Sequence, residues 1–204
     1  MGIPIGSQML LETLGMSLSS IMVGWFGAVA LASHQIAMNL SSLTFMISSG
    51  LASATTIRVS HQIGVKDFKS MRKAGIASTH LSLLFSCACA IVLFFFRVQI
   101  ASVFSVDPQV LELSSLLIAI VAIYQFGDGF QVVSIGALRG MSDVYAPMVV
   151  AIVCYLIVNL SMAYLLAVIF NWGAVGVWIA FMIELYLAAI LLGLRFRHKT
   201  KLYR

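Results

Sequence analysis

Apolar residues run along the chain in six long stretches, over residues 3–23, 30–54, 75–96, 116–138, 146–170 and 175–194. A helix needs about 20 such residues to cross roughly 30 Å of hydrocarbon, so each stretch predicts one membrane-spanning helix. A barrel strand would instead show strict alternation over about ten residues, and none of the stretches alternates that way. Residues with turn chemistry separate the stretches: Gly24 to Gly27, a charged loop from Gly64 to Lys73, Asp107-Pro108, Ser142-Asp143 and Asn171-Trp172-Gly173. Pro4 is tolerated at the start of the first helix, where a first-turn N–H has no intrahelical partner.

Composition agrees with that pattern. Of the 204 residues, 61% are hydrophobic and 9% charged, against about 25% charged in a soluble domain. So little ionic surface excludes a soluble enzyme, a disordered chain and a nucleic-acid module. The fold class predicted is all-α and polytopic: a six-helix transmembrane lobe over 1–194, then a basic tail over 195–204. The three cysteines, Cys87, Cys89 and Cys154, sit inside apolar stretches, which excludes a disulfide framework. The expected role of Cys87 and Cys89 is apolar packing. No catalytic constellation is present: no Ser/His/Asp grouping, no HExxH and no phosphate loop.

The charges set a topology. Ten of the twelve Lys and Arg residues fall in two places: Arg58, Lys66, Lys69, Arg72 and Lys73 after the second span, and Arg195, Arg197, Lys199, Lys201 and Arg204 after the sixth. Arg139 follows the fourth span, and the alternate loops hold only Arg97. The positive-inside rule then puts both termini in the cytosol. With no cationic leader and no small-residue cleavage pattern, the first span is expected to act as its own signal anchor. The tail cations are expected to meet anionic lipid headgroups.

Ionisable residues inside spans are costly and by default mark function. Glu12, Asp128 and Glu184 are the three. At 1.5 Å per residue, Glu12 lies about 13 Å and Asp128 about 15 Å from the cytosolic face, on separate helices. That matched depth suits a cation or a shuttled proton held between them. Tyr124, Asp128 and Gln131 form one helical stripe, with Gln125 beside it. Gly127 and Gly129 flank the acid, permitting either close helix approach or a local break that exposes carbonyls. The acids have a structural alternative, bonding to Ser, Gln or Tyr on a neighbouring helix. Glu184 has apolar sequence neighbours and two open roles, a third acid of a relay or a neutral acid bonded across a helix interface. Gln35 and Asn39 read as glue between helices. His34 has no second ligand at metal spacing, so no metal site is predicted beyond a possible Na⁺ at Glu12 and Asp128.

Several blocks resemble the multidrug and toxic compound extrusion (MATE) family: Gly2-Ile3-Pro4-Ile5 with Glu12, Ile21 to Gly24, Leu31 to Ile36, Tyr124-Gln125 with Asp128 and Gln131, Gly136-Ala137-Leu138-Arg139-Gly140, Pro147, and Gly176-Val177-Trp178. Their order and spacing look like the carboxy-terminal six-helix half, most like the NorM-type bacterial branch, over essentially the whole chain. The resemblance implies export of cationic, often aromatic compounds across the plasma membrane in exchange for Na⁺ or H⁺, with no cofactor besides the coupling ion. It further implies that Glu12 and Asp128 take part in cation binding and coupling, with Tyr124 and Gln131 as neighbours of the site. Arg139 matches the arginine of the family's Leu-Arg-Gly block and is expected at the cytosolic edge, facing lipid phosphate or a helix end.

Two features depart from that pattern. Members of the family have twelve helices in two similar halves with the substrate cavity between them, whereas six are predicted here. The lobe is therefore expected to work as a homodimer or with a separate amino-terminal half, the alternative being a truncated fragment without transport. Glu184 stands where the family pattern leads one to expect a small or apolar residue, so its role is not inherited.

Overall fold

The computed structural model describes residues 2–202, and every regular element among them is helical. Arg204 of the basic tail lies outside the described residues. The helices are α1 (Gly2–Gly24), α2 (Ala28–Gly64), α3 (Phe68–Phe95), α4 (Arg97–Phe104), α5 (Pro108–Gly140), α6 (Tyr145–Ile169) and α7 (Gly173–Lys201). Five of them, α2, α3, α5, α6 and α7, are long and apolar enough to cross a membrane. Helix α1 approaches them in length with 23 residues, but Gln8, Glu12 and its serines dilute its apolar content. Short α4, which the hydrophobic pattern does not announce, fills the segment between the third span and Asp107.

The cationic end differs from expectation. In place of a loop over 64–73 there is a tight turn at 65–67, with Lys66 at φ 58°. Asp67 ends that turn by accepting a 2.9 Å hydrogen bond from the Ser70 N–H, satisfying an orphan donor at the start of α3. Lys69, Arg72 and Lys73 are therefore helical residues rather than loop residues. At its 37 residues, α2 is about 55 Å long, well beyond the hydrocarbon thickness. Asp107 caps α5 in the same manner through Gln109, with Pro108 in the first turn. Gly27 joins α1 to α2 at φ 97°, a conformation that side chains other than glycine rarely adopt.

Helix α5 is the hub. It packs along α2, α3 and α7, while α6 lies against α1 and α7. Its inner face buries Leu117, Ile118 and Val121 with Ala37 of α2 and Val177 and Trp178 of α7. A second cluster at the cationic end joins Val59, Met71, Leu138, Met141 and Leu192. Small residues let α2 and α5 touch: the Thr56 hydroxyl donates to the Gly136 carbonyl at 2.8 Å, and a Cβ on Gly136 would stand 2.4 Å from the Ala52 carbonyl oxygen. Outward-facing Leu84, Ile91, Phe95, Ile190 and Leu194 are exposed, an apolar surface that hydrocarbon solvates.

Two stretches of α6, Ile152–Val158 and Tyr164–Ile169, wind as π-helix. There the N–H groups reach back five residues, as Phe170 does to the Leu165 carbonyl. The carbonyl of Tyr155, in the first of these stretches, lies close over Gly15 of α1.

Candidate functional site

A cavity of about 320 Å³ opens between α1, α2, α5, α6 and α7. All five residues singled out from the sequence line it: Glu12, Tyr124, Asp128, Gln131 and Glu184. Helix α5 supplies three of them from one stripe, and runs unbroken through Gly127 to Gly129. The glycines serve close approach and not a break in the helix. A Cβ on Gly129 would stand within 2.6 Å of the Ser82 and Ser86 hydroxyls of α3.

The acids are held differently. Glu12 Oε1 accepts from Gln8 Nε2 at 2.8 Å, one helical turn away, and Tyr155 stands within electrostatic reach of it. Gln8 Oε1 in turn accepts from Arg139 Nη2 at 3.2 Å, and Arg139 stands within electrostatic reach of Glu12. Arg139, expected at the cytosolic edge facing lipid phosphate or a helix end, instead lines the cavity. Its place at the polar end of the span hides this in the sequence, where nothing marks Gln8 as its partner.

Asp128 and Glu184 lack such compensation. Asp128 is 4% exposed and Glu184 1%, and Asp128 Oδ2 and Glu184 Oε1 have no hydrogen-bond partner among the described residues. Each of the three carboxyls lies within electrostatic reach of the others. Gln131 Nε2 bonds to the Tyr155 hydroxyl while its Oε1 has no partner among the described residues. Among the described residues, no group of three or more His, Cys, Asp and Glu side chains is arranged to hold a metal ion.

Residues outside this set play supporting parts. Gln125 does not line the cavity and bonds to Thr44 of α2. His34 is wholly buried: its Nδ1 accepts from Trp178 Nε1 at 3.1 Å and its Nε2 lies 2.9 Å from the Ser20 hydroxyl. That fixes the tautomer with the proton on Nε2 and ties α1, α2 and α7 together. Gln35 and Asn39, read as glue between helices, are instead exposed. Gln8 and Tyr155 are cavity residues that the sequence reading misses. Gln8 has a signal, its i, i+4 spacing to Glu12; Tyr155 has none.

Residues 4–165 match the family model MatE. The chain belongs to the MatE family. Its lobe is 38% identical over 200 residues to the probable multidrug resistance protein NorM of Xanthomonas campestris pv. campestris, covering 98% of this chain and 44% of that protein. The probable multidrug resistance protein NorM of Bacillus anthracis is 33% identical over 195 residues, with 96% and 43% covered. The MatE chain thus spans less than half the length of these relatives. Among solved structures, the eukaryotic MATE transporter AtDTX14 shares its fold with a TM-score of 0.89 at 20% identity, over 100% of this chain and 47% of that one. A multidrug resistance MATE family transporter in an outward-facing conformation gives 0.90 at 20% identity, over 99% and 46%. The family is one of multi-pass membrane transporters and not of enzymes.

Proposed function

We propose that this MatE lobe forms one wall of a cation-coupled antiporter that exports cationic organic compounds across the plasma membrane in exchange for Na⁺ or H⁺. The observation that carries the reading is the meeting of Glu12 and Asp128, from α1 and α5, in one cavity that also presents aromatic rings. Carboxyls attract a cation, ring faces bind its charge, and either ion species returns the acids to neutrality. In this cycle Asp128 exchanges the coupling ion, while Glu12, held by Gln8, supports the site beside Arg139. The names of the relatives, probable multidrug resistance proteins, favour an exported drug as cargo.

A second lobe completes the cavity, supplied by another copy of this chain or by a separate amino-terminal half. Thr13, Ser42 and Ser53 line the cavity from exposed positions, a polar margin that hydrocarbon solvates poorly and that suits a protein partner. Contacts such as the packing of Phe196 on Gly75 and the ion pair of Arg195 with Asp143 gather the cationic segments at one end of the bundle. By the positive-inside rule that end, with both termini, faces the cytosol.

Dye efflux from proteoliposomes tests these readings, with Na⁺ and H⁺ gradients imposed separately. Efflux from this chain alone supports a working homodimer. Efflux only after an amino-terminal half is added supports a two-chain transporter. No efflux in either case leaves the non-transporting lobe.

A further inference from the structure

Glu184 is the acid that neither the family pattern nor the coupling pair uses, and its surroundings assign it a task. Trp178, Phe181 and Glu184 recur at three-residue intervals on α7 and all line the cavity, as neighbours on one helix face do. Tyr124 and Asp128 of α5 line the same cavity. The Tyr124 and Trp178 rings meet edge to face at 5.8 Å, and Trp178 and Phe181 do so at 5.5 Å. An aromatic wall therefore accompanies two carboxyls.

Charge balance gives that wall its meaning. The cavity is lined by three carboxyls and one guanidinium. Arg139 stands by Glu12, which Gln8 holds through a hydrogen bond. Asp128 Oδ2 and Glu184 Oε1 remain buried and unpartnered among the described residues, so two carboxyls lack a protein counter-charge. The species that answers two such carboxyls beside aromatic faces is an organic molecule carrying two positive charges on an aromatic frame.

We propose that Glu184 makes this cavity selective for aromatic dications, Asp128 receiving one positive charge and Glu184 the other. The inference rests on the reading of the cavity as a cation site and adds to it the charge of the preferred cargo. A monocation engages Asp128 alone and gains little from Glu184.

The test compares methylviologen, a planar aromatic dication, with methylphenylpyridinium, a monocation of nearly the same shape. Binding of each to the lobe assembly that supports efflux, held in lipid nanodiscs, is measured by calorimetry. The native chain is expected to prefer the dication. Glu184→Gln, nearly isosteric, should weaken dication binding on the order of tenfold and monocation binding less than about threefold. Glu184→Asp, which keeps the charge, should retain the preference. Equal affinity for the two probes, unchanged in Glu184→Gln, overturns the role of Glu184 and leaves the cation site standing. An equal loss for both probes in Glu184→Gln overturns charge selection as well, since it marks a structural defect. Failure of the native chain to bind either probe overturns the cation site itself.

Discussion

Burial makes a carboxyl group expensive unless it is paired, hydrogen-bonded or protonated, and the three acids of this lobe meet that demand unequally. Glu12 has Gln8 and the nearby Arg139, whereas Asp128 and Glu184 each keep an oxygen without a partner among the described residues. Glu12 and Asp128 are legible in the sequence because depth along a helix follows from counting residues. The surroundings of Glu184 are not, because its sequence neighbours are apolar and the groups around it in space come from α1 and α5. His34 shows the same limit: its partner Trp178 is 144 positions away. Close packing is a residue-scale property too. Gly136→Ala would push a methyl group against the Ala52 carbonyl and should destabilise the lobe by about 1–3 kcal/mol, read as a lower melting temperature in detergent. Gly50→Ala, whose added methyl group would meet nothing within 4 Å, should leave the melting temperature unchanged or raise it slightly.

Elements are legible where hydropathy alone decides them. Each of the six apolar stretches folds as helix, because twenty apolar residues leave lipid no other solution. Their ends are less visible: α2 runs to Gly64 and α3 begins at Phe68, since polar residues beyond the bilayer extend a helix without an apolar signal. The π-helical stretches of α6 have no signal either, as Val, Ile and Leu fit both windings. Caps give the clearest local cue, and Asp67 illustrates one with a pH dependence. Its hydrogen bonds from Ser70 hold its carboxyl below the ordinary value of 3.8. A depressed carboxyl contributes stability above its unfolded pKa and loses it as pH falls through the folded value. Asp67→Ala should therefore melt below the native chain at neutral pH, and the gap should close as the pH is lowered past about 4. Thermal melts followed by circular dichroism between neutral and acidic pH check this, and a gap that widens in acid would contradict it.

For the whole molecule, architecture follows from a polar cavity built inside an apolar bundle. Helix α5 is buried along much of its length because it carries the site stripe on one side and small packing residues on others. At the cationic end, Asp143 accepts from Arg195 at 2.9 Å and lies 3.6 Å from Lys199, which ties the start of the tail on α7 to the α5–α6 turn. The composition of the lobe shows that it belongs in a membrane; the exchange proposed for it depends on the acids in the cavity. The most direct measurement of that claim is gradient-driven dye efflux in proteoliposomes carrying Asp128→Asn, in whichever lobe assembly proves active, with membrane insertion verified in parallel. Efflux should fall to the level of protein-free vesicles while insertion stays native. Efflux at the native rate would remove Asp128 from the exchange and contradict the coupling role given to it.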